Sequence, residues 1–179
     1  MSKNKIKVGD LIFAKAPLVG TLFENRILLI VNSNETDGCF GFILNDPGRL
    51  PIREVFSPVP TGKWQSRQFF AGGPVDDDEL FMLERGSVAS NMGGELIDDG
   101  VYFGGHWSEL SDLLDAPEDL LMLYLGYAGW SAGQLEDEIA EGSWEYLQNY
   151  KIYDLLGLLS TQREFDRDVL LKILQSCKK

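Results

Sequence analysis

A glycine-flanked serine is the pattern in this sequence closest to a known catalytic signature. Ser131 lies in the run Gly129-Trp-Ser-Ala-Gly, which has the Gly-x-Ser-x-Gly spacing of a nucleophile elbow. Such an elbow needs a strand before the serine and a helix after it, and both are predicted here. His106, the single histidine, precedes the serine, which reverses the usual order of these hydrolases. We therefore interpret Ser131 as a helix cap whose capping-box partner is Gln134, not as a nucleophile.

The other reactive side chains are too few and too scattered for a thiol or transition-metal centre. Cys39 lies among small and aromatic residues typical of a buried strand, and a dyad with His106 would require the thiol to leave that strand. One histidine and two distant cysteines, Cys39 and Cys177, make a poor ligand set. Asp76-Asp-Asp-Glu could help to hold Mg²⁺ or Ca²⁺, but it lacks the alternating spacing of a calcium loop. We predict no catalytic residue, no metal site and no cofactor.

Two glycine-rich segments favour a contact surface instead. Gly72-Gly-Pro-Val follows one predicted strand, and residues 126–134 join another strand to a helix. Glycines at strand ends allow a close approach of the backbone, and Tyr127 and Trp130 are large amphipathic side chains of the kind that dominate recognition. We predict that the two segments meet. The candidate ligand or partner surface consists of Gly72, Gly73, Pro74, Tyr127, Trp130, Ser131, Gln134 and Glu136, with the Asp76-Asp-Asp-Glu run as a further part of its rim.

Two alternatives to this surface stay open. Tyr127, Trp130 and both turns could simply pack in the core. The start of the helix after residue 126 could also bind an anion, although the segment has no lysine and the helix turns acidic from Glu136 onward. We regard phosphate binding as the weaker of the two.

The charge of the chain is concentrated in its middle. The formal net charge is −12, and residues 74–148 hold eighteen acidic residues and one basic residue, Arg85. Such a segment either keeps the protein in solution or forms a face for a basic partner or a cation. Direct binding of nucleic acid is disfavoured, because phosphates need a concentrated set of lysines and arginines. The partner we expect is another protein, which could be a basic one.

The elements that position these residues follow from hydrophobic periodicity and turn signals. We predict a short helix at 52–56, and a hairpin of 26–31 with 39–44, whose first strand is apolar on both faces and hence central. The other strands are predicted at 11–14, 68–71, 80–84, 120–125 and 144–148, and the segment 95–103 is predicted to hold a turn and a strand. Helices are predicted at 107–114, 131–141, 152–159 and 164–175, the last with Thr161 as its cap. With no interior linker, this pattern predicts a single α+β domain over residues 1–179, with a continuous sheet from the hairpin to 120–125.

The sequence also gives an expected location. Two cysteines cannot build a disulfide framework, and the polar start of the chain has no apolar signal core. The longest uncharged apolar stretch, 120–130, is too short to span a bilayer. We expect a cytoplasmic protein without contact with a membrane.

Four segments, in this order, are similar to the AlgH-like (YqgE-type) family. They are Gly9-Asp-Leu-Ile-Phe-Ala-Lys-Ala-Pro, Gly38-Cys-Phe-Gly-Phe-Ile-Leu-Asn-Asp-Pro, Phe70-Ala-Gly-Gly-Pro-Val and Leu125-Gly-Tyr-Ala-Gly-Trp-Ser-Ala-Gly-Gln-Leu-Glu. The resemblance covers nearly the whole chain. It implies a bacterial, cytoplasmic α+β domain with a large, mostly antiparallel, strongly bent sheet, partly closed as a pseudo-barrel and flanked by helices. Family members are often labelled transcriptional regulators, while no family-wide activity or catalytic residue is established.

The chain departs from the family at two positions. Asp46 stands where many members have arginine, and Asn32 stands where an acidic residue and a histidine often occur. Relatives also often carry another small residue or proline near Ser131, which argues against a nucleophile there.

The sequence is compatible with three classes of function. The favoured class is a binding or interaction protein, with a regulatory role left open. The alternative is an unrecognised enzyme or small-ligand sensor that uses the glycine-rich loops. A regulator that binds DNA directly is disfavoured, because no helix-turn-helix with a basic second helix is predicted.

Overall fold

The chain has an α+β fold. The computed structural model describes residues 5–55, 67–86, 93–105 and 121–178. Its strands are β1 Leu11–Ala14, β2 Ile27–Asn34, β3 Gly38–Ile43, β4 Pro47–Pro51, β5 Gln68–Ala71, β6 Val75–Arg85, β7 Glu95–Asp98, β8 Val101–Phe103, β9 Leu121–Trp130 and β10 Trp144–Tyr146. Its α-helices are α1 Gln134–Ala140, α2 Ile152–Thr161 and α3 Arg167–Ser176, with short 3-10 turns at Ala16–Leu18 and Ile52–Glu54.

One hydrogen-bonded sheet joins these strands. Its order is β10-β1-β2-β3-β9-β6-β8-β7, while β4 pairs with β5 and β5 pairs with β9. All pairs are antiparallel except β5 with β9, which is parallel. The predicted mostly antiparallel sheet, continuous from the hairpin to β9, is therefore confirmed. The path is open within the described residues, because its end strands β10 and β7 do not pair, so the sheet is not closed into a barrel.

The sheet has an apolar core on each face. Strand β2 is buried from Ile27 to Val31, as predicted for a central strand, and its side chains alternate between the two cores. One core contains residues of α2 and α3, and the other contains Leu135 of α1. Each fully buried leucine or isoleucine contributes about 1.5–3 kcal/mol of stability. No helix among the described residues is long and apolar enough to cross a membrane.

The largest differences from the predicted strands are at β4, β6 and β9. Strand β6 begins at Val75, five residues before the predicted start at Leu80. Strand β4 was not predicted, because Pro47 and Gly48 signal a turn. Prolines are tolerated there because, among the described residues, β4 pairs on one side only, with β5. Strand β9 continues five residues beyond Leu125, because its glycines lie within the ladder and do not end it. The helix predicted at 107–114 lies outside the described residues.

Both predicted caps are wrong. Helix α3 is capped by Asp166, whose carboxylate accepts a hydrogen bond from the Val169 amide at 2.8 Å, and Thr161 instead belongs to α2. Helix α1 begins after Gly133 without a side-chain cap, because the chain extends through Trp130 before it turns. Half of the predicted capping box remains, since Gln134 Oε1 accepts a hydrogen bond from the Ser131 amide at 3.0 Å.

Candidate functional site

The two glycine segments meet where the chain crosses strand β9. Tyr124 of β9 pairs with Phe70 of β5 and with Phe81 of β6, so β5 and β6 lie on opposite edges of β9. The link between β5 and β6 consists of residues 72–74 and must therefore pass over β9. At this point the Gly72 amide donates to Leu125 O, at 2.8 Å. The Gly72 carbonyl accepts from the amide of Ile43 in β3, also at 2.8 Å.

The passage leaves no space for side chains. A Cβ atom on Gly72 would lie 2.2 Å from the carbonyl oxygen of Gly126, and one on Gly73 would lie 2.2 Å from the carbonyl carbon of Tyr127. Gly126 itself has a φ of +70°, and a Cβ there would be 2.6 Å from the Gly73 carbonyl oxygen. We call Gly72, Gly73 and Gly126 the glycine crossing. Backbone packs directly on backbone here, so these residue types are required by the fold.

An acidic bulge lies beside the glycine crossing. In the β6–β9 ladder Val75 faces Tyr127 and Leu80 faces Leu125, so the four residues between them in β6 face only Gly126. These four residues, Asp76, Asp77, Asp78 and Glu79, are all exposed. They form the acidic bulge, and Asp76 at its start has a φ of +47°. Extra residues in one strand are forced out of the ladder, which directs their side chains away from it.

Tyr127 connects the glycine crossing to the acidic bulge. Its ring is partly buried, with its centroid 5.2 Å from that of Phe40 and 5.8 Å from that of Phe81. Burial raises the pKa of Tyr127, and the negative charge of Asp76, a hydrogen bond to Asp76 and the charge of Glu79 raise it further. The phenol therefore stays protonated at neutral pH and can donate to the Asp76 carboxylate.

Trp130 lies on the opposite face of β9 from Tyr127. It is 7% exposed and packs in the core that contains α1. Its indole N–H donates to Glu138 Oε2 at 2.9 Å, and the indole of Trp144 donates to the same atom at 2.8 Å. Gln134 donates to the other carboxylate oxygen of Glu138 at 2.9 Å. Trp130 thus helps to hold α1 against the sheet.

The structure therefore divides the predicted surface. Tyr127 adjoins Gly72, Gly73 and Pro74, whereas Trp130 is turned to the other face. Ser131 and Gln134 are exposed between β9 and α1, and Glu136 is partly exposed on α1.

Glu138 was not singled out in the sequence analysis among the acidic residues of α1. A usable signal was present, because Trp130 and Trp144 flank the helix that carries this acid. Buried tryptophan N–H groups need an acceptor, and a nearby carboxylate can supply one.

The reactive groups weighed from the sequence occupy separate places. Ser131 is exposed at the end of β9. Cys39 is 8% exposed, and burial, followed by the charges of Glu136, Glu138 and Asp10, raises its pKa to about 12. This thiol is protonated at neutral pH, in keeping with a core residue. His106 lies outside the described residues, and within them no group of three His, Cys, Asp or Glu side chains is arranged to hold a metal ion.

A cleft of about 280 Å³ adjoins the glycine crossing. Its lining includes Arg49 and Leu50 of β4, Pro74, Asp77 of the acidic bulge and Leu125 of β9. We call it the crossing cleft. Three larger cavities occur among the described residues. Two of them, of about 520 and 510 Å³, are both lined by Ile152 and by none of the predicted surface residues. The third, of about 380 Å³, is lined by Glu136 together with Lys5 and Glu35.

The sequence and the fold of this chain can be compared with those of known proteins. A sequence profile described as AlgH-like matches residues 11–163, most of the chain. The chain belongs to the AlgH-like family. The resemblance stated from four sequence segments is thus confirmed. The family is uncharacterised, so membership does not by itself assign an activity.

Relatives and solved structures agree with the AlgH-like assignment. The UPF0301 protein of Chlorobium chlorochromatii (strain CaD3) is 38% identical over 149 residues, covering 79% of this chain and 74% of that protein. The UPF0301 protein of Pelodictyon phaeoclathratiforme (strain DSM 5477 / BU-1) is 36% identical over 146 residues, with 79% and 74% covered.

Two solved structures share the fold. The solution structure of the AlgH protein from Pseudomonas aeruginosa matches with a TM-score of 0.65 at 26% identity, covering 82% of this chain and 79% of that one. A crystal structure of a protein from Corynebacterium diphtheriae matches with a TM-score of 0.65 at 20% identity, covering 90% and 95%. The second likeness concerns the fold alone.

Proposed function

We propose that this AlgH-like chain is a cytoplasmic binding protein that presents the acidic bulge, together with Tyr127 and the glycine crossing, to a basic segment of another protein. The observation that carries the proposal is the bulge itself. Four consecutive exposed acidic side chains leave the β6–β9 ladder opposite a single residue, Gly126.

The surroundings of the bulge support a preorganised surface. Its two ends are fixed by the pairs of Val75 with Tyr127 and of Leu80 with Leu125. The glycine crossing packs backbone against backbone directly beneath it, which leaves little space for rearrangement. A surface that is rigid before binding loses less entropy when a partner is bound.

The charge of the bulge selects the partner. A single exposed ion pair contributes only about 0–1 kcal/mol, so no one carboxylate defines the site. Four together create a local negative potential that accelerates encounter with a basic chain and repels nucleic acid. A regulatory effect would then act through the bound protein, not through direct contact with DNA.

The test compares two variants with equal charge changes. One carries Asp76→Asn, Asp77→Asn, Asp78→Asn and Glu79→Gln. The control removes four exposed acids elsewhere through Asp37→Asn, Glu95→Gln, Asp99→Asn and Glu141→Gln. Fluorescence anisotropy with a labelled Arg-Arg-Leu-Arg-Arg peptide measures affinity at physiological salt, and a random DNA duplex serves as a second probe.

The bulge variant should bind the peptide at least about tenfold more weakly than the control, because only it removes the local potential. The duplex should bind none of the proteins. Equal loss of peptide affinity in both variants would mean that net charge alone attracts the peptide, and the proposed surface would be rejected. Tight, salt-sensitive binding of the duplex would reject the exclusion of DNA.

A further inference from the structure

We infer that the crossing cleft seats one apolar side chain of the partner, next to the basic residues that meet the acidic bulge. The recognised element is then a leucine-like residue flanked by basic residues. This inference rests on the proposed function and adds a specificity that the acidic bulge alone cannot provide.

The size and lining of the cleft suit a single side chain. Its volume of about 280 Å³ lies just below the range of about 300–1,000 Å³ usual for small-molecule sites. Leu50, Pro74 and Leu125 give it apolar walls. Apolar anchors that fill such pockets carry much of the affinity at protein interfaces.

The walls of the cleft are held by close backbone packing. A Cβ atom on Gly48 would lie 2.4 Å from the carbonyl oxygen of Phe69, so β4 lies tightly against β5. Gly73 and Pro74 of the passage over β9 also line the cleft. The lining is therefore built into the sheet and its glycine crossing.

Asp77 joins the cleft to the acidic bulge. It lines the cleft and is also the second residue of the bulge, so an apolar side chain in the cleft brings its neighbours in the chain beside the bulge. Arg49 also lines the cleft.

The first experiment changes the peptide. Anisotropy is measured with Arg-Arg-Leu-Arg-Arg, Arg-Arg-Ser-Arg-Arg and Glu-Glu-Leu-Glu-Glu at the same salt concentration. The leucine peptide should bind at least about tenfold more tightly than the serine peptide, because leucine gains from leaving water and serine does not. The acidic peptide should not bind.

The second experiment changes the wall of the cleft. Leu50 is 37% exposed, and Leu171 on α3, at 47% exposed, is the matched control. Leu50→Ser should reduce the preference for the leucine peptide over the serine peptide at least about threefold, whereas Leu171→Ser should leave it unchanged. Circular dichroism confirms that both variants are folded.

The outcomes separate this inference from the proposed function. Equal binding of the leucine and serine peptides would overturn the apolar seat and leave the acidic surface standing. An unchanged preference in Leu50→Ser would also overturn it. Failure of both basic peptides to bind, or tighter binding of the acidic peptide, would overturn the inference and the proposed function together.

Discussion

Trp130 and Trp144 pack edge to face and share one hydrogen-bond acceptor. Their ring centroids are 5.8 Å apart at an interplanar angle of 82°, and both indoles donate to Oε2 of Glu138. One carboxylate of α1 thus joins strands β9 and β10, which lie on different parts of the sheet. The position of α1 depends on this oxygen.

Glu138→Ala should lower the free energy of unfolding by about 2–3 kcal/mol, because two largely buried donors lose a charged acceptor. Glu141→Ala, at an exposed position just after the same helix, should change it by less than about 0.5 kcal/mol. Urea unfolding followed by circular dichroism measures both. Similar values for the two variants would show that the shared acceptor does not hold the helix.

The glycine crossing predicts a difference between two glycine substitutions. Gly72→Ala places a Cβ atom 2.2 Å from the Gly126 carbonyl oxygen and should lower stability by about 3 kcal/mol or more. Gly20 has a φ of +80° but nothing within 4 Å of a Cβ, so Gly20→Ala should lower it by only about 1 kcal/mol. Thermal unfolding distinguishes them, and an equal loss in both would contradict the close packing at the crossing.

The hydroxyl of Tyr146 is buried and has no hydrogen-bond partner among the described residues. Tyr146→Phe should leave stability unchanged or raise it by up to about 1 kcal/mol, because it removes an unsatisfied group. Asn45→Ala is the contrast, since Asn45 accepts from the Ile27 amide at 2.8 Å and donates to the Asn25 carbonyl at 2.9 Å. The Asn45→Ala substitution should lower the free energy of unfolding by about 2 kcal/mol. A loss in Tyr146→Phe as large as this would reveal a partner for the hydroxyl.

The Cys39 thiol predicts how stability responds to alkali. Burial and the neighbouring acids raise its pKa from 9.0 to about 12, so the folded state holds the proton more tightly than the unfolded chain. The contribution of the protonated Cys39 thiol to the free energy of unfolding is complete below pH 9 and is lost as the pH rises towards 12. The free energy of unfolding should therefore fall over this interval, and less steeply in Cys39→Ala.

Reaction with a thiol reagent gives a second measure of the same property. Native protein at pH 7.5 should react slowly, because Cys39 and Cys177 are both buried and burial also raises the pKa of Cys177. Protein in urea should react fully. Rapid labelling of Cys39 in the native state would contradict its place in the core, and an unchanged pH slope in Cys39→Ala would contradict the raised pKa.

Much of the fold could be predicted because hydrophobic patterns and local turns agree with it. Strands β1 and β5 have the predicted bounds, and the hairpin of β2 and β3 follows from its turn signal. Strand β4 and the second half of β9 could not be predicted, because proline and glycine ordinarily end a ladder. Strand β4 is accommodated because it pairs only with β5 within the described part of the chain, and the extension of β9 is accommodated by the passage over it. Both are properties of the tertiary structure.

The candidate site was predictable only in part. The glycine pairs indicated a close backbone approach, but no local signal separated Tyr127 from Trp130. Gly126, which directly precedes Tyr127, lies opposite the four-residue bulge of β6, and the irregular pairing there is set by tertiary structure. The role of Glu138 likewise depends on β10, which is distant in the sheet order from β9.

Binding of a basic segment at the acidic bulge and the crossing cleft is tested most directly by a titration of ¹⁵N-labelled protein with Arg-Arg-Leu-Arg-Arg, followed by two-dimensional NMR. The largest amide shifts should occur at Asp76–Glu79, Tyr127, Leu125 and Leu50. Shifts centred on the cavities beside Ile152, or spread evenly over exposed acids such as Asp37 and Glu141, would contradict binding at the bulge and the cleft.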